Sequence, residues 1–251
     1  MITVEPRGEV SIVRMVRGKG NSLNLDLLAA LGQALETLES DHSRAAVITG
    51  EGNVFGAGVD LSELLQGGES YVRQFLPRMT AVFRHLATFR KPLVAAINGH
   101  AIAGGAIVAL ACDQRILARG GARIGLSEIQ VGVQFPAWAL EIARYSTPPE
   151  HFSTLILTGR TWQGEEALAR GLVDELVEPD RLLDRACDVA REMGAVPSCT
   201  FTATKLAVRG PMIEAAERRA ADDPVVVDDW CSVETLQQIA AFAERNIKRR
   251  G

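Results

Sequence analysis

Two glycine-rich turns carry the residues in this chain that could do chemistry without a charged side chain. The first is Gly50-Glu-Gly-Asn-Val-Phe-Gly-Ala-Gly-Val-Asp60. The second is Asn98-Gly-His-Ala-Ile-Ala-Gly-Gly105, which opens an apolar stretch with no charge before Asp113. A helix that begins on bare glycines at the end of a strand points free main-chain N–H groups, and the positive end of its dipole, at whatever lies above it. A dinucleotide fingerprint does not fit, because Phe55 stands where a third glycine is needed. A phosphate loop does not fit either, since no Gly-Lys-Ser/Thr follows either turn. Two readings stay open on the residues alone. The turns could be plain chain reversals. Alternatively, each could give one N–H to an oxyanion hole that stabilises an enolate or tetrahedral oxyanion.

The elements around these turns repeat an order of strand, glycine turn and helix. Residues 92–97 form a short buried strand, 98–103 a turn, and 104–112 a buried helix. Residues 45–49 form the equivalent strand before the first turn. Two further strands, 2–5 and 10–16, flank a tight turn at Pro6-Arg7-Gly8. Asn24 is placed to cap a helix with Leu27, Leu28, Leu31, Leu35 and Leu38 on one face. Residues 71–89 predict an amphipathic helix that Pro77 should kink, and Gln66-Gly-Gly-Glu-Ser70 a mobile loop before it. Residues 114–118 read as a strand, 123–133 as extended structure with turns, 161–170 as a helix and 172–177 as a strand. Beyond about 195 only helices are expected. The organisation is therefore an α/β core over 1–195 with a helical region over 196–251.

Composition narrows the function classes. With 251 residues, 47% of them hydrophobic, and a net charge of −4, an ordinary globular protein is expected, without a basic stripe for nucleic acid. The longest apolar run, 101–112, is too short to span a bilayer. No leader pattern opens the chain. Cys112, Cys187, Cys199 and Cys231 are scattered, which suits free thiols in a reducing, cytoplasmic setting. The four histidines have no metal-ligand spacing, and no serine-hydrolase signature is present.

Several separated motifs in one order resemble the crotonase superfamily, the enoyl-CoA hydratase and isomerase group. They are Asn21-Ser-Leu23, Val47-Ile-Thr-Gly50, Phe55-Gly-Ala-Gly-Val-Asp-Leu61, Asn98-Gly through Cys112-Asp113, and Glu165-Glu-Ala-Leu-Ala-Arg-Gly-Leu-Val173. The resemblance covers nearly the whole chain. It implies a spiral of ββα units with a C-terminal helical region that forms trimers, often paired as hexamers. It implies an oxyanion hole from the N–H groups of Ala57 and Gly104 around the thioester oxygen of an acyl-CoA. Coenzyme A would then be part of the substrate, and no separate cofactor or metal is needed.

The acid–base groups follow from the same resemblance. Related hydratases use two glutamates. One position, three residues after Gly104, is Ile107 here; the other is Glu128, in Gly125-Leu-Ser-Glu-Ile129. Adding water across a double bond is best served by two carboxylates, whereas one carboxylate suffices to move a proton between two carbons. The stretches 104–117 and 124–132, with 135–138 after, resemble mitochondrial-type 3,2-trans-enoyl-CoA isomerases of fatty-acid β-oxidation more than hydratases. The expected activity is thus isomerisation of 3-enoyl-CoA to 2-trans-enoyl-CoA on Glu128. The alternatives are a single-glutamate 2-enoyl-CoA hydratase or an acyl-CoA binder without turnover. An apolar wall of Ile107, Ile129, Phe135 and Trp138 should raise the Glu128 pKa toward neutrality. Substrate contacts are expected at Lys19, Val59, Asp60, Leu61, Phe135 and Trp138. Phe242 and Arg245 match positions that meet the nucleotide end, within a basic C-terminus, 245–250; Arg17 is a further candidate cation.

Overall fold

In the computed structural model, residues 1–248 are described, with side chains through Arg245. Of the expected basic cluster at 245–250, the side chains of 246–250 therefore lie outside the described residues. Strands β1 (Ile2–Arg7) and β2 (Val10–Met15) form a hairpin, followed by α1 (Leu25–Ser40). Asn24 caps α1 by accepting a hydrogen bond from the Leu27 N–H at 2.8 Å. The chain then repeats one unit three times. β3 (Ala45–Gly50), β4 (Val54–Gly56) and α2 (Leu61–Thr88) form the first. β5 (Leu93–Ile97), β6 (His100–Ile102) and α3 (Gly104–Leu110) form the second. β7 (Gln114–Ala118), β8 (Arg123–Gly125) and α4 (Glu128–Val131) form the third.

Each unit gives its first strand to one sheet and its second to another, and so the chain winds as a spiral. The larger sheet has the order β1-β2-β3-β5-β7-β10, parallel apart from the β1–β2 hairpin. The smaller has the order β4-β6-β8-β9. After α5 (Ala137–Ser146) and α6 (Pro149–Thr158) come β9 (Thr161–Gln163), α7 (Gly164–Ala169), β10 (Glu175–Val177) and α8 (Leu182–Gly194). The remaining described elements are helices: α9 (Ser198–Arg219), α10 (Asp223–Cys231) and α11 (Val233–Lys248), with a 3-10 turn between α9 and α10.

Alternation sorts the large sheet's side chains onto two cores. Val10, Ile12, Val47, Val94 and Ile116 pack under α8. Val13, Met15, Ile48, Ile97 and Leu117 join α1, α2 and α3 on the other face. Every residue of β5 and α3 is buried, as their uninterrupted apolar sequences require.

Several sequence expectations change. Residues 98–103 hold strand β6 as well as a turn, and 161–170 begin with strand β9. The helix expected from 71 starts at Leu61, because the Asp60 side chain accepts hydrogen bonds from the N–H groups of Ser62 and Glu63. The Gln66–Ser70 stretch thus falls within α2, whose helical geometry is broken inside it at Gly68 (φ 55°, ψ −146°) and not at Pro77. Pro77 is on the exposed side of α2, where water can hydrate the carbonyl it leaves without a partner.

Candidate active site

The two glycine turns meet at the start of α3. Gly105 must be glycine, because a Cβ there would overlap the Gly56 carbonyl. Gly58 has φ +86°, and a Cβ on it would sit 2.9 Å from Ala103 Cβ and 3.5 Å from Gly104 N. Ala103, the residue before α3, itself takes φ 51° and ψ −127°, a region costly for a residue with a Cβ. Its N–H donates to the Gly125 carbonyl at 2.9 Å, which helps hold the turn. The first-turn N–H groups of α3 have no intrahelical partner, and Gly104 lines a cavity of about 480 Å³.

The loop before α1 braces the first turn. Asn21 donates through Nδ2 to the carbonyls of Val54 at 2.7 Å and Glu51 at 3.1 Å. Gly20 O accepts the Ala57 N–H at 2.9 Å, Leu23 N–H donates to Gly58 O at 2.7 Å, and Asp60 N–H donates to Leu23 O at 2.9 Å. The expected oxyanion donor Ala57 N–H is therefore already spent on Gly20. Among the described residues, the Gly58 and Val59 N–H groups in this stretch have no main-chain or side-chain acceptor. Of these two residues, Val59 lines the cavity.

Glu128 opens α4 and lines the same cavity. Part of the residue is accessible, but its Oε2 is shielded from solvent and has no hydrogen-bond partner among the described residues. Burial pushes the carboxyl pKa up to about 8, only partly offset by a hydrogen bond from its own main-chain N–H. Ile107, fully buried, lines the cavity as well. Glu128 is the only carboxylate among the described lining residues.

The cavity gathers most, but not all, of the residues the sequence singles out. Ala57, Val59, Leu61, Gly104, Ile107, Glu128, Phe135 and Phe242 line it together. Asp60 does not; it caps α2 and pairs with Arg17 at 2.7 Å, so Arg17 is also engaged. Lys19 and Arg245 are exposed and away from the lining. Trp138 lines a separate groove between α2, α5 and α10, with the Arg84 guanidinium 5.8 Å from its ring centre. Ile129 is 46% exposed and contributes no wall. The apolar wall consists instead of Met79, Phe83, Val131, Val133 and Ala139, with Ile107 and Phe135. Sequence reasoning missed four polar residues of the lining, His100, Arg123, Ser127 and Thr161. Their signal is register: Val54 pairs with His100, and Ala101 with Ile124, so 54, 100 and 123 lie in one row across the small sheet.

The sequence profile of the enoyl-CoA hydratase/isomerase family matches residues 5–248. The chain belongs to this family. It is 36% identical over 230 residues to a putative enoyl-CoA hydratase of Thermus thermophilus, covering 88% of this chain and 89% of the relative. It is 30% identical over 212 residues to the mitochondrial enoyl-CoA delta isomerase 1 of Mus musculus, covering 83% and 73% respectively. The crystal structure of human mitochondrial delta3-delta2-enoyl-CoA isomerase superposes with a TM-score of 0.91 at 29% identity, covering 100% of this chain and 99% of that one. The spiral is thus the crotonase fold, and the protein is an enzyme of the hydratase/isomerase family acting on CoA thioesters. Among the described residues, no helix is long and apolar enough to cross a membrane.

Proposed function

We propose that this enzyme converts 3-enoyl-CoA to 2-trans-enoyl-CoA, with Glu128 as the single acid–base group. The N–H groups of Val59 and Gly104 hold the thioester oxygen. Ionised Glu128 takes a proton from C2, next to the thioester carbonyl. The released electron pair spreads over the thioester oxygen and the C3–C4 double bond as a dienolate, stabilised by the two donors. Protonated Glu128 then returns the proton to C4, the double bond settles between C2 and C3, and the carboxylate is restored. A pKa of about 8 leaves roughly a tenth of the sites ionised at pH 7, close to the balance a group that both takes and gives a proton requires.

The observation that carries this reading is the pairing of one buried carboxyl with Ile107. Ile107 can neither hold nor deprotonate a water, and the wall around it is apolar. Phe242, from α11, is the contact we assign to the CoA end. A second reading, hydration of 2-enoyl-CoA on Glu128 alone, is favoured by the description of the Thermus thermophilus relative.

Separate incubations decide between them. Isomerisation of 3-enoyl-CoA makes the conjugated thioester absorbance appear, and 2-enoyl-CoA given alone keeps it. Bleaching from 2-enoyl-CoA, with no product from 3-enoyl-CoA, supports the hydratase instead. Ile107→Glu should add a second carboxyl to the cavity and raise hydration of 2-enoyl-CoA at least tenfold over the parent rate; unchanged hydration would contradict the role given to Ile107.

A further inference from the structure

We propose that the acyl part of the substrate carries a carboxylate of its own, and that Arg123 receives it. This rests on the acyl-CoA reading above but not on which double-bond chemistry follows.

Arg123 sits on β8, four residues before Ser127 and five before Glu128, and all three line the same cavity. Its Nε donates to Thr161 Oγ1 at 2.7 Å, one terminal nitrogen donates to the Thr161 carbonyl, and the other reaches Gln163 Oε1 at 3.4 Å. All three acceptors are neutral. Among the described residues, no carboxylate lies within ion-pair distance of this guanidinium, whereas Arg17 has two and Arg115 and Arg209 have one each. A guanidinium has five N–H donors, so two remain after these bonds.

The three bonds also fix the guanidinium against β9, which makes it a prepositioned fork for a carboxylate. His100, its neighbour in the same row of the small sheet, is exposed and lines the cavity beside it. The rest of the cavity carries only Glu128 as an ionisable carboxyl, and burial favours that group's neutral form. The lining is therefore mixed. Met79, Phe83 and Val133 suit hydrocarbon, whereas Arg123 is a half-buried cation with no carboxylate partner. A substrate with a purely hydrocarbon acyl group would leave that cation only water and neutral partners. The other anionic part of the substrate, the CoA phosphates, is separated from the thioester by the pantetheine arm, and the binding comparison below tells the two apart.

Binding of saturated thioesters, which cannot be turned over, tests this without catalysis. Calorimetry on the wild-type protein would compare adipoyl-CoA with hexanoyl-CoA and suberoyl-CoA with octanoyl-CoA. At least one dioyl thioester should bind about tenfold or more tightly than its neutral partner, the scale of one charge-assisted contact. Arg123→Gln should bring that ratio close to one by weakening the dioyl thioester alone, and Arg123→Lys should keep part of it. Equal or tighter binding of both neutral partners by the wild type overturns the proposal, whether or not the variants fold. Equal weakening of both classes in Arg123→Gln also overturns it, because that pattern belongs to a CoA phosphate contact or to packing. A retained dioyl preference with no turnover of any 3-enoyl-CoA would instead count against the isomerase reading and leave this one standing.

Discussion

The two ends of α3 are built in opposite ways. At its start, Ala103 is held at positive φ and Gly104 lines a cavity. At its end, almost nothing polar is left over. Ser146 Oγ donates to Leu110 O at 2.7 Å. Arg209 donates to Ala111 O at 2.9 Å, Cys112 O at 3.2 Å and Asp113 Oδ1 at 2.8 Å. Lys205 Nζ donates to Asp113 Oδ2 at 2.8 Å, and the Leu93 N–H shares that oxygen at 2.8 Å. A seven-residue helix buried throughout must satisfy its carbonyls from outside itself. The difference teaches that the saturated end provides stability, while the strained, open end is where main-chain donors remain for a substrate.

Changes at either end should therefore separate stability from activity. The largest effect is expected at the saturated end. Arg209→Ala removes a buried cation that serves three carbonyls and Asp113, and should cost about 3–5 kcal/mol of unfolding free energy in denaturant titrations. Activity per folded molecule should barely change; a stable but inactive variant would blur the contrast. At the open end, Gly58→Ala forces a Cβ against Ala103 and should misplace one donor. We expect kcat to fall roughly 10²-fold or more, with a smaller loss of stability than in Arg209→Ala. The smallest effect is expected from Ala103→Gly. It relieves the positive φ and should raise stability by about 1 kcal/mol; a loss of that size would show that no strain is stored there.

Much of the site's frame can be read from residue order. The apolar run before Asp113, the glycines at 104 and 105, and the isoleucine at 107 all sit where the sequence puts them. The small sheet could not be read in the same way, since three-residue strands carry too few residues for alternation to show. That gap also hid Arg123 and His100, which reach the cavity only through the register of that sheet. The wall around Glu128 was misread for a related reason. The 123–133 stretch looks extended, but Glu128–Val131 is one helical turn, so Val131, three residues on, shares the Glu128 side and Ile129 turns outward. The Ala57 N–H illustrates a limit of motif reading: its partner, Gly20 O, comes from a loop 37 positions earlier, and no local pattern reveals that bond.

The most direct test of the central claim is the pH dependence of kcat/KM for a 3-enoyl-CoA thioester, measured on the wild type and on Glu128→Gln. The base must be ionised to act, so wild-type kcat/KM should rise with pH and level off above about 8. Glu128→Gln should lose about 10² to 10⁴-fold at every pH while still binding acyl-CoA. Full activity in Glu128→Gln, or a wild-type profile already flat from the ordinary carboxylate range upward, would contradict the account.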